Sequence, residues 1–210
     1  MAAGPSLGLY VAASLALIAT PGQDMLYVIT RSLAQGRLAG VCSALGVCCG
    51  ILVHTALAAL GIGALLLASE GLFAAVKLAG AAYLVYLGLR LLLSRVPPAA
   101  LRAAAGRPLS AAGLVAQGML SNVTNPKIVL FFLAFLPQFV EPHGLHPTRD
   151  LVFLGVLYAA MALPVKAAVG IAAGSLSERM LRSPAALAWM NRASGVVLVG
   201  LGLRLAASER

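Results

Sequence analysis

The sequence predicts an all-α membrane protein of six transmembrane helices, built as two inverted three-helix repeats whose first and fourth helices are broken. Three observations lead there. Of the 210 residues, 61% are hydrophobic and only 10% charged, against about 45–50% apolar and about 25% charged in a soluble domain. The apolar residues gather into six stretches separated by short polar breaks. Proline interrupts the first and fourth stretches beside polar and charged side chains.

The length suits one domain, residues 1–210. The formal net charge of +9 raises nucleic acid as a partner. The basic residues, however, punctuate apolar segments rather than clustering on one polar face, so no nucleic acid is expected. Cys42, Cys48 and Cys49 share one apolar segment and are odd in number. They read as small packing residues and not as a disulfide framework.

Segment one runs from about Leu7 to Ile29 and is interrupted at Pro21-Gly22. No basic residue precedes Leu7–Ala19, and polar residues follow it, so the stretch reads as a retained span rather than a signal peptide. Arg31 and Arg37 mark a short basic loop. Segment two, about Gly40 to Leu67, carries Gly46 and Gly50 in the small-xxx-small spacing that lets helices approach closely. Segment three spans about Phe73 to Leu93. A linker of about residues 96–108, with Pro97-Pro98, divides a first repeat (about 1–95) from a second (about 109–210).

Segment four, about Ala111 to Phe139, is too long for a straight span of about 20 residues, and Pro126 lies inside it. Segment five, about Leu151 to Gly174, holds Pro164 and Lys166; segment six covers about Ala193 to Ala207. Three spans per half give the halves opposite orientations. The alternation of basic loops places both termini on the non-cytoplasmic side.

The chemistry concentrates at the two breaks: Thr20-Pro21-Gly22-Gln23-Asp24 and Asn122-Val123-Thr124-Asn125-Pro126-Lys127. A lysine at the centre of a membrane helix costs roughly 2.5–3.5 kcal/mol on insertion scales. Proline also strips a backbone partner from the carbonyl one turn earlier. Paired interrupted helices in two halves point to a transport site at the repeat interface. Asp24 and Lys127 are expected to meet there. They would either clamp a small zwitterion, carboxylate to Lys127 and ammonium to Asp24, or form a static bridge between the halves. Asp24 is also a candidate proton carrier. Asn122, Thr124 and Asn125 would line the cavity, cap the second half-helix or satisfy backbone freed by Pro126. Gly22 would permit the unusual backbone and close approach of a broken helix.

His54 is either a proton relay or a buried, satisfied histidine. Lys166 either joins the relay or snorkels to a membrane face. Glu141, His143 and His146 supply too few ligands in fixed geometry for a metal site. No cofactor is expected. The run Phe131–Leu136 reads as packing, and Tyr158 and Trp189 as interfacial anchors or core.

At these residues the chain resembles the lysine-exporter superfamily, in particular its homoserine/threonine-resistance branch. The carrying motifs are Thr20–Asp24, Gly46 through His54, Lys77 through Gly88, Asn125 through Phe139 and the glycine-rich Gly195 to Leu205, in order along nearly the whole chain. One departure is Gln23, which stands where the family's Pro-Gly-Pro has its second proline. The resemblance implies a bacterial inner-membrane exporter of amino acids or their derivatives, driven by the proton gradient and working as a homo-oligomer. Threonine, homoserine lactone, branched neutral and basic amino acids all fall within its range. An exporter of another small metabolite or cation is the alternative. An intramembrane enzyme is disfavoured, because the spans hold one carboxylate, Asp24, and one histidine, His54, with no Gly-x-Ser-x-Gly setting.

Overall fold

A computed structural model describes residues 7–68, 70–93, 107–140, 146–175 and 184–207, and every regular element among them is helical. Helix α1 covers Leu7–Ala19 and α2 Gln23–Gln35, meeting at a 49° bend. Pro21 forces that bend, since it has no N–H to continue the helical ladder. Helix α3 is Arg37–Ala68 and α4 Glu70–Leu93. Helix α5, Ala111–Val123, starts under a Ser110 cap that accepts from the Gly113 N–H at 3.2 Å. Helix α6, Pro126–Leu130, continues through a π turn at Phe131–Phe135 and a 3₁₀ turn at Leu136–Phe139. It meets α5 at 52°. Helix α7 is Pro147–Ser175 and α8 Pro184–Ala207.

Among the described residues, Arg37–Gly61 and Pro147–Ser175 are each long and apolar enough to cross a bilayer, and each bent pair passes the same test as one span. The described structure therefore supplies two to four candidate spans. Helices α3, α4 and α7 begin three to four residues ahead of the expected Gly40, Phe73 and Leu151, and two other boundaries differ more. The first segment runs on to Gln35, leaving only Gly36, at φ 86°, between α2 and α3. That positive φ suits glycine and lets the chain reverse in one residue. The sixth segment begins at Pro184, ahead of the expected Ala193. The linker residues 94–106, and Glu141 and His143 of the polar turn, lie outside the described residues.

Small residues let the long helices touch backbone to backbone. A Cβ at Gly170 would lie 3.0 Å from the Cα of Gly40, one at Gly174 would lie 2.6 Å from the Arg37 nitrogen, and Gly155 abuts Thr55. Helices α3 and α7 therefore run antiparallel. Helices α4 and α8 do the same: Gly88 faces the carbonyl of Gly195, and Gly202 faces that of Ala81. Gly46 and Gly118 bring α3 against α5. Hydrogen bonds tie the half-helices to this frame. Tyr10 donates to the Leu154 carbonyl at 2.7 Å, and Tyr27 to that of Leu114 at 2.8 Å.

The core is aromatic where the fourth segment turns. Phe131, Phe132 and Phe135 are buried with Tyr10 and Tyr158, and the Phe131 and Tyr158 rings lie 4.8 Å apart. That run is packing, as its composition suggested, and Tyr158 is core. Trp189 is 74% exposed.

Candidate functional site

Each proline leaves one carbonyl of the preceding turn without its helical donor, and a side chain from elsewhere supplies one. Pro21 strands the Leu17 carbonyl; Lys127 Nζ donates to it at 3.3 Å and to the Thr20 carbonyl at 3.1 Å. Pro126 strands the Asn122 carbonyl, and His54 Nε2 lies 3.2 Å from it, with the Asn125 N–H at 2.9 Å. Neither carbonyl depends on that donor alone, because the Leu17 carbonyl also accepts from the Thr20 N–H at 3.2 Å, and each side chain adds a second hydrogen bond where the helical one is lost.

Asp24 occupies the first turn of α2 and is fully buried. Three elements converge on its carboxylate. Lys166 Nζ of α7 lies 3.1 Å from Oδ2, Asn122 Nδ2 of α5 donates to Oδ2 at 3.2 Å, and Asn125 Nδ2 donates to Oδ1. Asn125 also caps α6, accepting from the Lys127 N–H at 3.1 Å. The N-terminal end of α2 adds its own favourable field for a negative charge.

The expected Asp24–Lys127 ion pair is replaced by Asp24–Lys166. Lys127 is held instead by the end of α1, which faces it with the carbonyls that the break frees. The two charges still share a neighbourhood across Gly22: a Cβ on that glycine would lie 3.0 Å from Lys127 Nζ and 3.8 Å from Asp24 Oδ1. The backbone of Gly22 itself, at φ −152°, is ordinary extended chain, so close approach rather than unusual backbone explains the glycine. Lys166 is 2% exposed; it points into the protein and does not snorkel. His54 is buried, with the Phe132 ring tilted against it at 5.7 Å between centroids.

The breaks also meet directly, since Gln23 Nε2 donates to Thr124 Oγ1 at 3.3 Å. Beside them lies a cavity of about 250 Å³, lined by Pro21, Gly22, Gln23, Asn125, Pro126 and Lys127 from the breaks. Tyr83, Leu87 and Arg90 of α4 and Leu198 of α8 complete its wall. Asp24 stands behind Gly22, outside that lining. Asn122 is fully buried, and its Oδ1 has no hydrogen-bond partner. Of the candidate site residues other than Asp24, all but His54 and Thr124 either line the cavity or bind the Asp24 carboxylate, and those two bond to residues of the breaks.

Arg31 is one residue the sequence reading misplaced. It sits within α2, 6% exposed, and not in a loop. Its guanidinium donates to Gln117 Oε1 at 2.6 and 3.1 Å and to the Arg107 carbonyl at 3.0 Å. Arg90 was read only as the end of a segment. The spacing Tyr83–Arg90, two helical turns on one face, is the signal that places both on the cavity wall.

The profile of the LysE type translocator family matches residues 15–209. The chain is 32% identical to an uncharacterized membrane protein of Vibrio cholerae, over 95% of this chain and 96% of that one. It is also 32% identical to an uncharacterized membrane protein of Pseudomonas aeruginosa, over 97% of this chain and 98% of that one. With the membrane protein YrhP of Bacillus subtilis it shares 27% identity over 97% and 99% of the two chains. No solved structure matches it. The chain is a multi-pass membrane protein that belongs to the LysE type translocators, a transporter family.

Proposed function

We propose that the protein is a secondary exporter of amino acids or their derivatives, working by proton antiport in a bacterial inner membrane and belonging to the homoserine/threonine-resistance branch. The carrying observation is the enclosure of Asp24, a buried carboxylate held by side chains from α5, from α7 and from Asn125 at the cap of α6, beside a cavity that both helix breaks line. Intramembrane carboxylates in such settings serve as proton carriers. The antiparallel pairing of α3 with α7 and of α4 with α8 supports two inverted repeats. In that reading α4 and α8 complete six spans, and each break is tended by the middle helix of the opposite half: Lys166 at the first, His54 at the second.

At about 250 Å³ the cavity falls below the roughly 300–1,000 Å³ of drug-sized ligand pockets, so its occupant is small. An ammonium carries three donors. The Leu17 and Thr20 carbonyls take two from Lys127, leaving the third for a substrate carboxylate. Protonation of Asp24 would release Lys166 and the two asparagines, loosening the junction between the breaks. His54 and Lys166 are the further relay candidates. The test is uptake of a panel of amino acids into inverted vesicles with and without a proton gradient. Saturable, gradient-dependent uptake that weakens in Lys127→Ala supports the reading. Gradient-independent, non-saturable flux would mark a channel instead.

A further inference from the structure

The cavity wall carries two cations and, among the described residues, no carboxylate. Lys127 and Arg90 both line it, while Asp24 is fully buried behind Gly22 and engaged by Lys166. Arg90 is exposed, and no hydrogen bond or ion pair holds its guanidinium among the described residues. Counted together, Asp24, Lys166, Lys127 and Arg90 leave the surroundings positive. A cleft of one sign with low-dielectric walls focuses its field on whatever enters.

The geometry points to a charge filter: the cavity admits amino acids whose side chains are neutral or acidic and rejects dibasic ones, with Arg90 as the selecting residue. This narrowing rests on the transport reading above. Lys127 takes the α-carboxylate. A lysine or arginine substrate would then bring a second cation into a space where Arg90 already stands unneutralised. Specificity built on repulsion of the wrong ligand is as effective as added attraction for the right one. A second carboxylate, by contrast, would find a guanidinium able to bind it through two parallel hydrogen bonds.

The experiment compares norleucine, lysine and glutamate in proteoliposomes of the full chain, for the wild type, Arg90→Gln and Arg90→Glu. Norleucine keeps the α-ammonium and matches the lysine side chain closely in length but lacks its second cation. The wild type should favour norleucine over lysine by about tenfold or more, within the range that a charged site achieves. Arg90→Gln should reduce that ratio, and Arg90→Glu should reduce it further and lose glutamate. Because Arg90 is exposed, both variants should fold. Equal handling of lysine and norleucine by the wild type, or a ratio unmoved by Arg90→Glu, overturns the filter while leaving export intact.

Should none of the three be carried, export of such amino acids fails as a reading, and the filter is judged by thermal stabilisation of the purified protein. Protection by propionate and not by n-propylammonium, lost in Arg90→Glu, sustains it. Protection by the amine, or by neither ion, overturns it.

Discussion

Lys166 Nζ lies 3.1 Å from Asp24 Oδ2, with both side chains almost wholly buried. This pair joins α7 of the second half to the break in the first. Removing one member of a buried ion pair leaves the other uncompensated, at a cost of about 3–5 kcal/mol. Lys166→Met alone and Asp24→Asn alone should therefore each lower the thermal unfolding midpoint in detergent. The double variant Asp24→Asn/Lys166→Met should recover most of that loss, because it removes both charges of the pair. A double variant no more stable than the worse single would show that the two groups are not coupled.

His54 meets the Asn122 carbonyl that Pro126 frees. His54→Leu should destabilise the protein by about 0.5–1.5 kcal/mol, the net loss of one hydrogen bond from a carbonyl that keeps the Asn125 N–H. His54→Gln, whose amide can donate, should restore much of it. Chemical denaturation measures the stability, and the transport readout separates the two roles of the histidine. Full proton coupling in His54→Gln assigns it to the backbone alone; lost coupling in a stable His54→Gln assigns it to the relay.

Gly46 packs directly on the Val115 backbone, and Gly88 on that of Gly195, whereas a Cβ at Gly200 meets nothing within 4 Å. Gly46→Ala and Gly88→Ala must push two helices apart and should cost about 1–3 kcal/mol each. Gly200→Ala should be neutral or stabilising, by up to about 1 kcal/mol, since alanine is the better helix former. Folded yield and midpoint after purification distinguish them. Equal behaviour of all three would contradict the close approach of α3 to α5 and of α4 to α8.

The helix breaks were legible in the sequence because proline acts locally: Pro21 and Pro126 remove a donor whatever surrounds them. The same reasoning marked the freed carbonyls and offered Asn122, Thr124 and Asn125 together as caps of the second half-helix, of which Asn125 fills the position. What proline could not reveal was which side chains would answer. Asp24 could pair with Lys127 or Lys166, and the choice depends on the rotation of α7 about its axis, which Gly155, Gly170 and Gly174 fix by contact with α3. The periodicity of α7 carried little information, since an apolar helix in lipid has no polar face to orient it. Arg31 was mistaken for a loop residue because an arginine beside an apolar run resembles a membrane boundary. Its partners Gln117 and Arg107 are distant in sequence. Arg90 went unnoticed for the same reason.

The enclosure of Asp24 is tested most directly by proton movement in proteoliposomes. A trapped pH dye should report substrate-driven proton flux through the wild type. The stable pair Asp24→Asn/Lys166→Met should show substrate exchange, if any, without proton flux. Proton flux at the wild-type rate through that variant would contradict a coupling role for the carboxylate.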